Sequence, residues 1–281
     1  MTKKEKKRPT DDVKFGARVL GYLIKASRNG DLTFVKRMLR EGVPPDILVE
    51  SCGSTPLTAA VRGGHIRIVR LLLDSGVDPN LQDTWVSMPP NGTALESAAA
   101  KGHVEIAKLL VERGADVNKV GHFSPVRAAA ASGQPETLRF LLKKKAHLDS
   151  PSIIMLAVRK GNAEVVQQLI EVGVDVNFQG KAGDGDTPLH VAAWKESSVV
   201  AEMLIAAGAK LNAQTLCCKD TPLHIAASQG RMAVVQALLR GGADFTLKNF
   251  KRKTPEEWAK AYGEKDVQKF LREYREIKTG K

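Results

Sequence analysis

Residues Asp220–Asn249 read DTPLHIAASQGRMAVVQALLRGGADFTLKN, and they hold one complete structural unit. Thr221 suits a helix N-cap, because its hydroxyl can accept a hydrogen bond from a free N–H of the first turn. Pro222 follows at the first helical position, where its missing N–H costs nothing. Leu223, Ile225, Ala226 and Ala227 then give a short apolar face. Gly230 lets the chain reverse. Val234, Val235, Leu238 and Leu239 recur at one-, three- and four-residue steps, the spacing of a second amphipathic helix. Gly242 falls where a helix stops on a left-handed residue. Two such short helices cannot bury their apolar faces alone, so the unit must stack on copies of itself.

The copies are present. Equivalents of Thr221 fall at Gly21, Thr55, Thr93, Ser124, Ser152, Thr187 and Thr254. A turn glycine follows nine residues after each start, at Gly30, Gly64, Gly102, Gly133, Gly161, Gly230 and Gly263, with Glu196 the exception. A stop glycine follows twenty-one residues after the start, at Gly42, Gly76, Gly114, Gly173, Gly208 and Gly242, with Lys145 and, in the last unit, Arg275 the exceptions. Chance does not hold two offsets across so many starts.

The motifs TPLHVAA at Thr187–Ala193 and TPLHIAA at Thr221–Ala227 resemble the ankyrin repeat, as do Thr55-Pro56 and the endings GVDPN (Gly76–Asn80), GADVN (Gly114–Asn118) and GVDVN (Gly173–Asn177). The resemblance implies an all-α solenoid of stacked helix–turn–helix units with β-hairpin finger connections, used to bind other proteins. It implies a structural role for Thr187, Pro188, His190, Thr221, Pro222 and His224, in which each histidine bonds backbone groups between neighbouring units. His65 and His103, after turn glycines, resemble the family's Gly-His pair. Asn80, Asn118 and Asn177 each follow an Asp by two residues and a Leu by eight, a spacing that in this family can accept asparaginyl hydroxylation. The plainer reading is that these asparagines close the fingers.

Composition is that of a folded chain: 281 residues, 43% apolar and 26% charged. The net charge of +12 favours an acidic protein partner, with nucleic acid or an anionic membrane surface as the alternative. Cys52, Cys217 and Cys218 make no disulfide framework, and the adjacent pair is poorly placed to bridge itself. Free thiols suit a reducing compartment. No apolar run reaches transmembrane length, and the opening MTKKEKKRPTDD lacks the apolar core of a signal peptide. The expected location is the cytoplasm, with the nucleus open because KKEKKRP resembles an import signal. Residues 1–15 read as a disordered basic tail. Residues 16–278 read as the repeat domain, with Gly21-Tyr22-Leu23-Ile24 opening a divergent first cap and Thr254 starting the last.

Spacing between starts runs 34, 38, 31, 28, 35, 34 and 33 residues, and all the variation falls in the connections. The connection before Thr93 is lengthened by DTWVSMPPN (Asp83–Asn91), and the one before Ser152 is cut to AHLDSP. Loop changes of this kind leave the stack intact and sit where binding residues collect. Register places Phe34, Phe140, Phe245, Trp258 and Phe270 on core positions. It leaves Trp85, Phe123, Phe178, Trp194 and Phe250 off them. The candidate partner-binding set is Trp85 and Met88 in the long connection; His122 and Phe123 in a finger stem; Arg159, Lys160, Trp194 and Lys195 on first helices; and Lys219, Lys251 and Arg252 at finger ends. An acidic peptide with an apolar anchor would suit such a groove. No nucleophile is paired with a base, and no phosphate loop or metal cluster is present, so the sequence predicts no enzyme and no cofactor.

Overall fold

The computed structural model describes residue 19 and residues 21–46, 54–83, 92–180 and 185–280. The expectations for the tail at residues 1–15, and for Trp85 and Met88, lie outside the described residues. Helices come in short pairs, grouped into two compact units, residues 1–148 and 149–281. The division falls inside the shortened connection before Ser152.

The first unit holds α1 (21–29), α2 (Leu32–Arg40), α3 (Pro56–Arg62), α4 (Ile66–Asp74), α5 (Ala94–Lys101), α6 (Val104–Glu112), α7 (Pro125–Ser132) and α8 (Pro135–Lys143). Helices α3, α5 and α7 pack in one row, and α2, α4, α6 and α8 in a second. The second unit holds α9 (Ile153–Lys160), α10 (Ala163–Glu171), α11 (Pro188–Trp194), α12 (Ser198–Ala206), α13 (Pro222–Ser228), α14 (Met232–Arg240), α15 (Pro255–Tyr262) and α16 (Lys265–Thr279). Helices α9, α11, α13 and α15 form its first row, and α10, α12, α14 and α16 its second.

Small side chains set this packing. Ala59, Ala98, Ala129, Ala192 and Ala226 are fully buried on the first helices and let neighbouring rows approach closely. Leu57, Leu95, Leu189 and Leu223 fill the space at the third position of each start, and Leu72, Leu110, Leu141, Leu204 and Leu238 answer from the second helices. Each such side chain contributes about 1.5–3 kcal/mol by leaving water.

The caps follow the sequence. Thr55 Oγ1 accepts from the Thr58 N–H at 3.0 Å, Thr93 from Glu96 at 3.1 Å, and Ser124 from Arg127 at 3.2 Å. Ser152 departs: its hydroxyl lies 2.8 Å from that of Ser150 and makes no cap bond, because the short connection delivers it in a helical conformation. Stop and turn glycines take positive φ throughout the described residues. The two exceptions keep the same geometry without glycine, Lys145 at φ 59° and Glu196 at φ 61°, at a cost of about 1–2 kcal/mol each.

The finger connections are turns rather than ladders. Among the described residues one isolated antiparallel bridge occurs, Gln82 to Thr93. Each tip is closed by an aspartate accepting the N–H two residues on: Asp78 from Asn80, Asp116 from Asn118 and Asp175 from Asn177, all at 2.8 Å. The asparagines then reach the following finger. Asn80 Nδ2 donates to the Gly114 carbonyl at 2.9 Å and its Oδ1 accepts the Asp116 N–H at 2.8 Å. Asn177 repeats this with Gly208 and Lys210, and Asn118 Oδ1 accepts the His147 N–H.

The register argument for the aromatics needs correction. Phe34, Phe140, Phe245, Trp258 and Phe270 are each only half-buried. The second helices bury aliphatic side chains and leave Phe34, Phe140 and Phe270 at the edge, where Arg37 and Lys144 cover Phe34 and Phe140, while Phe245, in a finger, meets Tyr274 edge-on at 5.6 Å.

Candidate partner-binding groove

At four starts the fourth residue, Thr58, Glu96, His190 or His224, ties its helix to the finger that follows, and the chemistry of that tie varies along the chain. In the two TPLH starts it is histidine. His190 Nδ1 accepts the Thr187 N–H at 3.1 Å, so the ring proton sits on Nε2, which donates to the Asp220 carbonyl at 3.0 Å. His224 does the same between Thr221 and the Lys253 carbonyl. Burial pushes the pKa of His190 down to about 4 and lowers that of His224, so both are neutral and structural. They carry the role that the family resemblance implied.

The first unit solves the same problem with carboxylates, which the sequence reading missed. Asp83 is buried and accepts from the Thr55 N–H at 2.9 Å, the Thr58 hydroxyl at 2.6 Å and the Arg62 guanidinium at 3.0 Å. Glu96 occupies the histidine position and accepts the N–H groups of His122 and Phe123, both at 3.0 Å. Its carboxylate fills a slot walled by glycine: a Cβ on Gly92 or Gly121 would stand 1.8 or 2.3 Å from Glu96 Oε2. Burial raises both carboxyl pKa values, against the pull of these donors. The signal was legible as an acidic residue in the slot that elsewhere holds histidine.

His122 and Phe123 therefore belong to this arrangement. Phe123 is half-buried with the Arg127 guanidinium 4.8 Å above its ring, and His122 is exposed with its ring 4.1 Å away. His65 and His103 are likewise structural: the His65 ring packs on Gly30, and its Nε2 lies 3.0 Å from the Arg28 carbonyl.

In the second unit, α11, α13 and α15 and the fingers before Thr187 and Thr221 frame a groove of about 190 Å³. Trp194, at the end of α11, is 49% exposed and lines it. Trp258 and Tyr262 line it from α15, their rings edge-on at 5.0 Å, and Tyr262 is 55% exposed. Trp258 is thus a groove residue and not core. It stands in the first turn of α15 and is half-buried. Lys251 Nζ sits 5.3 Å from its ring centroid. Ile225 and Ser228 form the floor, and Asp186, Thr215, Cys217, Cys218 and Asp220 the finger side.

The turn that holds Cys217 and Cys218 is bonded to the next finger turn. Leu216 and Phe250 are 62% and 73% exposed, and the Phe250 N–H donates to the Cys218 carbonyl at 2.8 Å, joining the two turns. Lys219 and Arg252 occupy equivalent positions, two residues before their caps, and both take left-handed φ, 53° and 56°. Gly185 holds the same place before Thr187 at φ 71°. Cationic residues stand there at a steric cost that glycine would avoid. Of the residues singled out from sequence, Trp194 lines the groove and Lys251 lies over the lining residue Trp258, Lys195 is exposed beside Trp194, and Lys219 and Arg252 are exposed outside the lining. Arg159 and Lys160 are exposed at the end of α9, which packs on α11, and lie outside the groove lining. Among the described residues no three metal-ligating side chains cluster, and no helix is long and apolar enough to cross a membrane.

Comparison with known proteins agrees with this geometry. A family model described as ankyrin repeats (3 copies) matches residues 23–120 and 126–215, and one described as ankyrin repeat matches 218–250. The chain belongs to the ankyrin repeat family. Among curated proteins it is 38% identical over 188 residues to palmitoyltransferase ZDHHC13 of Homo sapiens, a match covering 64% of this chain and 29% of that protein. It is 31% identical over 188 residues to ankyrin repeat domain-containing protein SAT10 of Stachybotrys chartarum, covering 64% of this chain and 9% of the relative. The chain thus spans a minor part of the relatives it matches. Among solved structures it is similar to the human ASB11 ankyrin repeat domain, with TM-score 0.68 and 27% identity over 78% of this chain and 98% of that one. The ankyrin repeat domain of Bcl-3 matches with TM-score 0.63, 27% identity, and 78% and 99% coverage. Ankyrin repeats are in general protein–protein interaction modules.

Proposed function

We propose that this chain is a non-enzymatic adaptor that docks a protein partner in the groove of residues 149–281. Trp194, Trp258 and Tyr262 act as apolar anchors, and Lys195, Lys219, Lys251 and Arg252 form a cationic rim. The observation that carries the reading is a cluster of large aromatic rings left open between fingers on a rigid inner helix row. Such rings dominate binding energy when a partner covers them. The matching occupant is an extended acidic segment with one or two apolar side chains, because the rim steers negative charge and the floor takes apolar surface. Its expected place of action is the cytoplasm or nucleus, on the strength of the thiols and the basic opening. Transferase activity belongs to the relatives that carry that name, and no catalytic residue is assigned to this chain.

The test uses immobilised full-length protein with cell lysate, nuclease treatment and moderate salt. Three baits are compared: the natural sequence, Trp194→Ala with Trp258→Ala, and a variant neutralised at Lys219, Lys251 and Arg252. The adaptor reading expects a protein ligand that survives nuclease and salt and is lost with the tryptophans. Binding that instead collapses with salt or nuclease, and with charge removal alone, would assign the finger lysines to phosphate groups of lipid or nucleic acid.

A further inference from the structure

The groove wall carries chemistry that partner docking does not use. Cys217 and Cys218 are consecutive, both exposed, and the Cys217 thiol donates to Cys218 Sγ at 3.1 Å. They sit in the turn that faces Trp194, Trp258 and Tyr262. Accessible cysteines with a second thiol in reach are the ones that oxidise reversibly, because the neighbour resolves the first oxidised sulfur before further oxygen is added. We propose that Cys217 and Cys218 form a hydroperoxide-sensitive modification site, closed by oxidation into an intrachain disulfide and reopened by thiols.

The chemistry balances with a hydroperoxide as the oxidant. One thiol, as thiolate, attacks the peroxide; the O–O bond breaks, an alcohol or water leaves, and a sulfenic acid forms. The adjacent thiol then attacks that sulfur; the S–S bond forms, the S–O bond breaks, and water departs with the proton. Two thiols give up two electrons and two hydrogens in all. The product differs from a structural disulfide. Adjacent Cα atoms lie about 3.8 Å apart across a trans peptide, below the roughly 4.4–6.8 Å that relaxed disulfides span. Closure therefore strains the ring, and strained, exposed disulfides are the readily reduced, reversible ones.

Closure would be felt in the groove. The Cys218 carbonyl holds the Phe250 N–H, and Thr215 accepts and donates across the same turn with Asp220. Drawing the sulfurs together turns the Cys217–Cys218 peptide and with it the backbone at Cys218, which re-aims the carbonyl that holds Phe250 and moves one finger against the next. The sulfur chemistry is independent of any partner, whereas its effect on docking rests on the function proposed above.

The experiment uses full-length protein with Cys52→Ser, so that only the adjacent pair can react. The protein is treated with hydrogen peroxide and followed by intact mass, peptide mapping and tryptophan fluorescence. The expected result is loss of two hydrogens on the peptide bearing both cysteines, restored by dithiothreitol, with a reversible fluorescence change from Trp194 and Trp258. Cys217→Ser and Cys218→Ser should each abolish the two-hydrogen loss while keeping the circular dichroism of the parent. Stepwise oxygen addition at either cysteine, disulfide-linked dimers, or two-hydrogen loss that persists in a serine variant would each overturn the proposal. Should a serine variant fail to fold, the peptide map of the parent decides alone. Docking of the partner captured above, measured before and after oxidation, then reads the effect on the groove separately from the chemistry at sulfur.

Discussion

Acidification should loosen the second unit through its buried histidines, and the size follows from the geometry. His190 has no solvent exposure and holds its ring neutral between the Thr187 N–H and the Asp220 carbonyl. Its folded pKa of about 4 lies below the ordinary 6.5 that it regains on unfolding. A depressed histidine contributes stability that is present above the unfolded value and is lost as pH falls toward the folded one. The window is therefore pH 6.5 down to about 4. Between pH 7 and pH 5 the unfolded chain gains most of a proton at this site and the folded chain little, which costs about 2 kcal/mol. His224 is shifted in the same direction and adds to the loss. The assay is urea unfolding followed by tryptophan fluorescence at both pH values. With a urea slope of roughly 1–3 kcal/mol per molar, the His190 share alone lowers the midpoint by about 1 M. His190→Gln keeps an acceptor for Thr187 and a donor for Asp220 but cannot take up the proton. Whatever its own stability, its loss from pH 7 to pH 5 should be smaller than the parent's by that share. An equal loss in both proteins would refute the assignment of a buried neutral histidine. Asp83 and Glu96 work in the opposite sense: burial raises both, so what each contributes is present at low pH and is lost as pH rises through its folded pKa.

Three further outcomes are expected. Lys145→Gly should stabilise residues 1–148 by about 0.5–1 kcal/mol in chemical denaturation, since it relieves a left-handed lysine, and a destabilisation would show that the side chain contributes more than the strain costs. Glu96→Ala should cost about 2–3 kcal/mol in the same unit, because two inward-facing N–H groups lose their acceptor, and an unchanged thermal midpoint would contradict that. Asn80 and Asn177 have both ends of their amides bound to the next finger, and Asn118 its oxygen. Co-expression with an asparaginyl hydroxylase should therefore add no oxygen to the folded protein, and a single added oxygen at any of them would show that the fingers open.

How much was legible divides along physical lines. The helix pairs were readable because capping, turn reversal and helix termination each demand a particular residue at a fixed offset, and Thr55, Gly64 and Gly76 supply all three. Glu196 and Lys145 looked like lapses in that pattern, yet the backbone keeps its left-handed turn at both, since the stacked neighbours fix the path whatever residue occupies it. The fingers were less legible. Their hydrogen bonds come from Asp and Asn side chains, so the strand ladder expected there shrinks to one bridge. Trp258 was misplaced because register predicts which face a residue occupies, whereas burial depends on whether another repeat covers that face. The groove was half legible: Trp194 and Lys251 stood out as off-register or basic, but Tyr262 and the two cysteines join it only through contacts between repeats. Asp83 and Glu96 were missed because a carboxylate in a helix pair reads as surface until its donors are found.

The ties between first helices and fingers have one more property. Thr58 meets Asp83, Glu96 meets His122 and Phe123, His190 meets Asp220, and His224 meets Lys253. Every pair lies between one start and the residue just before the next. Cut at the starts, each segment of chain carries both halves of its own fastening. Between one segment and the next run backbone bonds, apolar contact and side-chain pairs such as Arg231–Glu196 and Arg240–Glu202. A duplicated or deleted segment brings or removes its fastening whole. The carboxylate copy asks one thing of its neighbour, the room left by Gly92 at the end of the preceding segment. Hydroxyl, carboxylate and imidazole fastenings can therefore coexist along a single chain, each copy free to drift in composition while the stack around it stays in place.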